Sequence, residues 1–484
     1  MTTLARSSAP PEATPAFARN PVLAVAAVVT VVLAAASVRG SYFFDELYFL
    51  MAGREHLAWG YFDQPPLIPA LAAALDSLAP GSLLVFRLPV TIGGAAMVVL
   101  AAAIARELGA RRGPQVLAAV AVAVSAVPIG SHWLGTYTLD PLWWTLIIWL
   151  VARWVRVRDD RLLLVAGVVT GLSLNTKFLV PALWAGILVA VALFGPRELL
   201  RRPALWIGGL IAAAMTAPTL LWQAASGWPY LQMNDVVRAE FDGPIGFAVG
   251  AALSFGLLGL VLAVIGLARA TRLRHPAAWL AVAALLVIAA ILGLHGRAYY
   301  ILSLVPALVA LGAVELDRWA AGRARIARIV IGSIAGVVSA VVVVTTLPVL
   351  PQPALDAAPD LPVHAMQAGE QLMMPAADAG AAAWAAVPAA DRAHTAVIAQ
   401  IYPLAATVES RGVPTWSPHR GYGYFAPPPA SATDVLWLGF EAPPAALATH
   451  FTGCTQGPGD DLQVWHCTGR VGEWAQWWPT LRTR

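Results

Sequence analysis

The stretch FDELYFLMAGREHLAWGYFDQPPL, residues 44–67, sets two carboxylates side by side, Asp45 and Glu46, where a long apolar run ends. An acid at such a mouth suits proton abstraction. A low-dielectric wall raises a carboxylate's pKa toward the range where it can accept a proton from a sugar hydroxyl. The pair also suits a plainer role, an N-cap and first-turn acid at the positive end of a helix dipole. Neither has a basic neighbour within one helical turn, so local pairing does not account for them.

Cations stand at similar positions farther along. Lys177, in LNTKFLVP, is the only lysine in the chain. At the end of an apolar span it could neutralise a phosphate as a point charge or reach along the interface to water. Arg297, in LHGRAYYILSLVP, is followed by Tyr299 and Tyr300. That grouping fits a lipid phosphate or an aromatic anchor belt. Asp140, in SHWLGTYTLDP, reads as a helix N-cap before Pro141, with His132 nearby. His132 with Glu46 or Asp63 could hold a divalent cation; otherwise no cofactor is called for. There is no P-loop, no GxGxxG run before a helix and no Ser–His–Asp spacing, which argues against soluble nucleotides as ligands.

The elements that must position these groups follow from composition. Of 484 residues, 59% are hydrophobic and 12% charged, about half the charge of an ordinary globular chain. Apolar blocks of about 20 residues, the length that crosses a bilayer, predict helical spans near 21–38, 84–105, 114–130, 139–153, 162–176, 178–195, 204–222, 246–268, 277–294, 298–314 and 327–347. The first is read as an uncleaved anchor behind a disordered lead, residues 1–20. In the loop after it, Leu47, Leu50, Met51 and Leu57 oppose Arg54 and Glu55, the spacing of a helix lying in the membrane interface. Gly60 ends that helix, and QPPL opens a second one.

Arginines fall in alternate loops: Arg106, Arg111 and Arg112; Arg153, Arg156, Arg158 and Arg161; Arg197, Arg201 and Arg202; Arg269, Arg272 and Arg274; Arg318, Arg323, Arg325 and Arg328. These loops are predicted to be cytoplasmic, which places Asp45, Glu46 and the C-terminal tail outside the cell membrane. The net charge of +4 reflects this topology, and nucleic acid is not an expected partner. A Pro-rich linker at 348–362 leads to a tail domain over 363–484, read as small α/β, with an Ala-rich helix near 377–391 and strands in TAVIAQIY and DVLWLGF. Its Cys454 and Cys467 are the chain's two cysteines. An exoplasmic compartment permits their disulfide, worth about 3 kcal/mol in the chain-entropy model, or they remain thiols.

DELYFLMAGREHLAWGYFDQPPLIP, HWLGTYTLD, LNTKFLVPAL, PTLLWQAASGWPYLQM, GRAYYILSLVPAL and VWHCTGRVGEWAQWWPTLR together resemble the bacterial protein O-mannosyltransferase-like glycosyltransferases, relatives of the lipid A aminoarabinose transferase. The resemblance implies a GT-C fold over 21–347, with catalysis on its outer face. It also implies an inverting transfer of sugar from a polyprenyl monophosphate donor. Asp45 would be the base, with Glu46 shaping or sharing the catalytic site. Lys177, Arg297 and Tyr299 would lie near the donor phosphate, and Asp63 with Gln64 in the matching loop motif. The tail departs from the pattern. IYPLAATVES places Ile401 and Leu404 where Asn and Glu are usual; SPHRGYGYF keeps His419 but follows it with Arg420; and Arg297 replaces a lysine.

The expected activity is therefore a membrane glycosyltransferase whose acceptor is a glycan, lipid or protein. The alternatives are a transporter or flippase, or an inactive sugar-lipid binder. A transporter usually shows broken helices and inverted repeats at mid-membrane, whereas these charges gather at one surface.

Overall fold

The computed structural model describes residues 15–272, 275–319, 325–348, 369–458 and 462–483. Most of the N-terminal lead and nearly all of the expected 348–362 linker lie outside them. Among the described residues, sixteen α-helices precede the tail. They are α1 (Arg19–Ser37), α2 (Phe44–Glu55), α3 (Leu67–Leu78), α4 (Leu83–Phe86), α5 (Leu88–Glu107), α6 (Arg112–Ala123), α7 (Ala126–Gly130) and α8 (Thr136–Val157), followed by α9 (Arg161–Thr176), α10 (Val180–Phe194), α11 (Pro203–Ala225), α12 (Met233–Ala239), α13 (Gly243–Ala270), α14 (Ala278–Gly293), α15 (Val305–Trp319) and α16 (Arg325–Thr346).

Five of these stretches are long and apolar enough to cross a bilayer, among them Gly243–Ala270 and Ala298–Trp319, with shorter apolar helices between them. Exposed aliphatic side chains such as Val31, Leu210, Leu221 and Leu253 face outward from them. In lipid that surface is covered. Each expected span coincides with helix, but several are not simple rods: 84–105 breaks at Arg87 between α4 and α5, and 298–314 opens with a 3-10 stretch, Ala298–Leu304. The 114–130 span breaks into α6 and α7 where Ser125 accepts the Val127 N–H. In α13 the helix kinks at Gly256, whose φ of 63° suits a residue without a side chain.

Small residues set the closest helix crossings. A Cβ on Gly167 of α9 would lie 2.4 Å from the Gly208 backbone of α11, and one on Gly312 of α15 would lie 2.0 Å from the Leu262 carbonyl oxygen of α13. Without a hydrophobic drive between helices in lipid, such close backbone approach is how they gain contact.

The tail carries a five-stranded sheet in the order β2-β1-β3-β5-β4: β1 (Thr395–Ala399), β2 (Thr415–Trp416), β3 (Asp434–Gly439), β4 (Phe451–Gln456) and β5 (Gln463–Arg470). β1 runs parallel to β2 and β3, while β5 is antiparallel to β3 and β4. Cys454 and Cys467 face each other across β4 and β5 and are joined as a disulfide. One face of the sheet buries Ile398, Val435 and Trp437 with Trp474, Trp477 and Trp478. The other packs, through α17 (Met374–Ala386) and α18 (Tyr402–Glu409), into an apolar core shared with Leu47, Tyr48 and Leu50 of α2. The sheet domain is thereby seated on the first loop.

Candidate active site

Asp45 and Glu46, adjacent in sequence, do different things. The N-cap position of α2 is Phe43, which has no side-chain acceptor, and Glu46 at N3 reaches back to accept the Phe43 N–H at 2.9 Å. Its carboxylate also accepts from the Leu134 N–H at 2.8 Å and from Arg87 Nε and Nη2 at 2.9 and 2.6 Å. With no exposure and four donors, Glu46 is a buried strut. It lines neither of the cavities described below.

His132 belongs to the same knot. Its Nε2 lies 3.2 Å from Arg87 Nη1 and 3.0 Å from Glu370 Oε1, and Glu370 also accepts from Trp133 Nε1 at 2.8 Å and Arg87 Nη2 at 3.1 Å. Burial, and then the Arg87 charge, push the imidazole below its usual range, against the pull of the Glu370 carboxylate. His132 lines neither cavity described below. Among the described residues no group of three or more His, Cys, Asp and Glu side chains is placed to hold a metal.

Asp45, half-buried, turns the other way. Its Oδ1 accepts a 2.7 Å hydrogen bond from the Tyr402 hydroxyl, and its side chain lines a cavity of about 540 Å³. Burial raises its pKa, while the Tyr402 hydrogen bond and the Arg420 and Arg297 charges oppose the rise. Phe43, Phe44, Trp133 and Tyr137 form the aromatic wall of this cavity, and Ala126, Ile129 and Leu302 line it at bundle depth.

A second cavity, about 290 Å³, is lined by Asp63, Gln64, Lys177, Tyr230, Asn234, Tyr299 and Tyr300. Lys177, buried just past α9, sets its ammonium 4.0 Å from the Tyr300 ring centroid and 4.9 Å from that of Tyr299. Asp63 accepts from the Tyr48 hydroxyl at 2.8 Å, and burial pushes its pKa up to about 6. The buried Gln64 Nε2 has no hydrogen-bond partner among the described residues.

Arg297 and Tyr299 line both cavities and form the wall between them. Glu240 accepts from Arg297 Nε at 2.6 Å and from Arg420 Nη2 at 2.8 Å, linking the bundle to the tail. Phe178 joins the smaller cavity to an apolar groove of about 480 Å³ between α9, α10 and α11.

The remaining expected residues stand apart. Asp140 lies one turn inside α8, whose N-cap is Gly135, and accepts from Ser173 Oγ at 2.9 Å. It is neither an N-cap nor a cavity wall, although it feels the Lys177 charge. His419 stacks on Tyr402, with centroids 5.5 Å apart, and lines neither cavity. The Cys454–Cys467 pair sits in the sheet.

Sequence reading missed Arg87, Glu240, Glu370 and Tyr402, whose partners are remote in the chain. Tyr402 alone left a signal, since it sits in the IYPLAATVES stretch already singled out.

Residues 63–222 match the family described as dolichyl-phosphate-mannose-protein mannosyltransferase. The crystal structure of ArnT from Cupriavidus metallidurans in the apo state superposes with a TM-score of 0.60 at 16% identity, covering 96% of this chain and 99% of that one. The chain has the GT-C fold. The same ArnT bound to undecaprenyl phosphate gives 0.60 and 16%, covering 92% and 97%. An oligosaccharyltransferase of Archaeoglobus fulgidus gives 0.54 and 16%, covering 81% of this chain and 62% of that one. No curated protein sequence matches. The GT-C fold extends through the sheet domain, and the chain is a multi-pass membrane protein.

Proposed function

We propose that this protein is a membrane glycosyltransferase that moves a sugar, with inversion, from a polyprenyl-phosphate donor to an acceptor hydroxyl. One observation carries the reading: Arg297 and Tyr299 are the common wall of a cavity holding an acid and a cavity holding a buried lysine. The match to the mannosyltransferase family and the ArnT structure bound to undecaprenyl phosphate support it.

The donor phosphate sits between Lys177 and Arg297, with Gln64 Nε2 as a further donor, and its prenyl chain follows the groove beyond Phe178. The acceptor enters the larger cavity, where Tyr137 Oη and Arg420 Nε are buried donors without partners among the described residues. Asp45 Oδ2 takes the hydroxyl proton as the acceptor oxygen bonds to the anomeric carbon. The bond from that carbon to the phosphate oxygen breaks, and polyprenyl phosphate leaves with the electron pair. Because the leaving group is already charged, holding its phosphate is the larger catalytic effect.

The face carrying the tail is exoplasmic and the N-terminus cytoplasmic. The arginines of the opposite ends, including Arg153 and Arg156 around Glu107 and Arg269 and Arg318 around Glu315, support this under the positive-inside rule.

The test is turnover of a panel of radiolabelled polyprenyl-phosphate sugars by the purified full chain in lipid nanodiscs. Loss of turnover in Asp45→Asn, with donor binding retained, is the expected result. Turnover equal to wild type in that variant removes Asp45 as the base.

A further inference from the structure

We propose that Tyr402, delivered by the sheet domain, is the positioning residue for Asp45, so that the catalytic base is complete only when the tail is docked. The inference rests on Asp45 acting as base and adds a group from outside the membrane bundle to that centre.

Tyr402 opens α18, 357 residues along the chain from Asp45, and its hydroxyl donates to Asp45 Oδ1 at 2.7 Å. A carboxylate with one oxygen held presents the other in a single direction, which a proton acceptor needs. The phenol itself is fixed on several sides. Its ring lies parallel to His419 with 7° between planes, the His419 Nδ1 accepts the Tyr402 N–H at 3.3 Å, and the Arg420 guanidinium lies 5.6 Å from the ring centroid. Tyr48 packs against it at 5.0 Å and Phe44 at 6.5 Å. These contacts hold the ring on the sides away from the cavity it also lines, and its hydroxyl donates to Asp45.

The hydrogen bond also favours the charged form of the carboxylate against the burial that disfavours it. The other charged and titratable groups around Asp45 are Arg420 from the tail, Arg297, Tyr299 and Glu240 from the bundle loops, Glu46 on α2, Tyr137 on α8, and Asp63 after α2. Tyr402→Phe leaves all of them and the ring in place and deletes only the donor.

The experiment measures the pH dependence of kcat for the full chain and for Tyr402→Phe, with thermal unfolding and donor binding as controls. The acidic limb is expected to move up by about one pH unit, so that the variant is about tenfold slower below both limbs and recovers as pH rises. A limb superposed on wild type, or a uniform loss at all pH values, overturns the proposal. Should Tyr402→Phe fold poorly, His419→Ala replaces it, with a smaller move in the same direction expected and an unmoved limb counting against the proposal. Asp45→Asn separates the two levels. If it stays active, the reading of Asp45 as base fails. If it is inactive while the Tyr402→Phe limb stays put, only the role of Tyr402 fails.

Discussion

Single residues at this site divide by what their neighbours leave unsatisfied. Asp45 and Glu46 are neighbours in sequence, yet Glu46 is closed off by Arg87, 41 residues away, while Asp45 opens on a cavity. Sequence made the acidic pair visible but not the partner that separates the two roles, because ion pairing across such a distance has no local pattern. Glu46→Gln should therefore lower the unfolding temperature without moving the acidic limb of kcat. A moved limb would return Glu46 to the catalytic group. Arg87→Met leaves buried carboxylates uncompensated and should cost about 3–5 kcal/mol, read by denaturation of the purified protein. Lys177 was legible because a lone lysine beside apolar residues is costly. Lys177→Ala should weaken donor-lipid binding at least about tenfold with an unchanged melting temperature, removing one charge-assisted contact; unaltered affinity would take the phosphate away from this cavity.

Elements were legible in proportion to how far hydropathy alone determines them. The spans appear close to where apolar length put them, but the break at Ser125 and the kink at Gly256 did not, since mean hydropathy carries no information about backbone dihedrals. The helix crossings were equally hidden among the many small residues. Gly312→Leu drives a side chain into the Leu262 carbonyl and should destabilise α13 against α15 by about 1–3 kcal/mol or more. A melting temperature equal to wild type would show that the crossing can relax. On α18, burial pushes the Glu409 carboxyl up to about 7. A raised acid favours folding fully below its unfolded pKa, near 4.5, and that contribution is lost as pH rises through about 7. The Glu409→Gln variant, whose amide oxygen can still accept from Tyr422 Oη, now 2.5 Å from the carboxylate, should melt higher than wild type at pH 8. The difference should shrink below pH 7 and vanish near pH 4; a pH-independent difference would assign it to packing.

At the scale of the whole molecule, three contacts hold the sheet domain to the bundle besides the Arg420–Glu240 and Tyr402–Asp45 links. α18 packs on α2; Gly421 admits Tyr48, whose hydroxyl would lie 1.8 Å from a Cβ there; and Glu370 inserts into the Arg87 knot. None of these was legible, because each joins segments more than two hundred residues apart through shapes that no short motif encodes. Glu370 offers the cleanest test of what docking does. Its removal leaves the Arg87–Glu46 pair intact, so the bundle keeps its internal compensation while the tail loses contacts to Ser41, His132, Trp133 and Arg87. Glu370→Ala is expected to speed limited proteolysis within the tail and to lower kcat severalfold, with donor binding near wild type because Lys177 and Arg297 stay on the bundle. Faster proteolysis with undiminished kcat would mean that the base works without the tail seated. Weakened donor binding would mean instead that the Arg420–Glu240–Arg297 link transmits docking to the phosphate cavity.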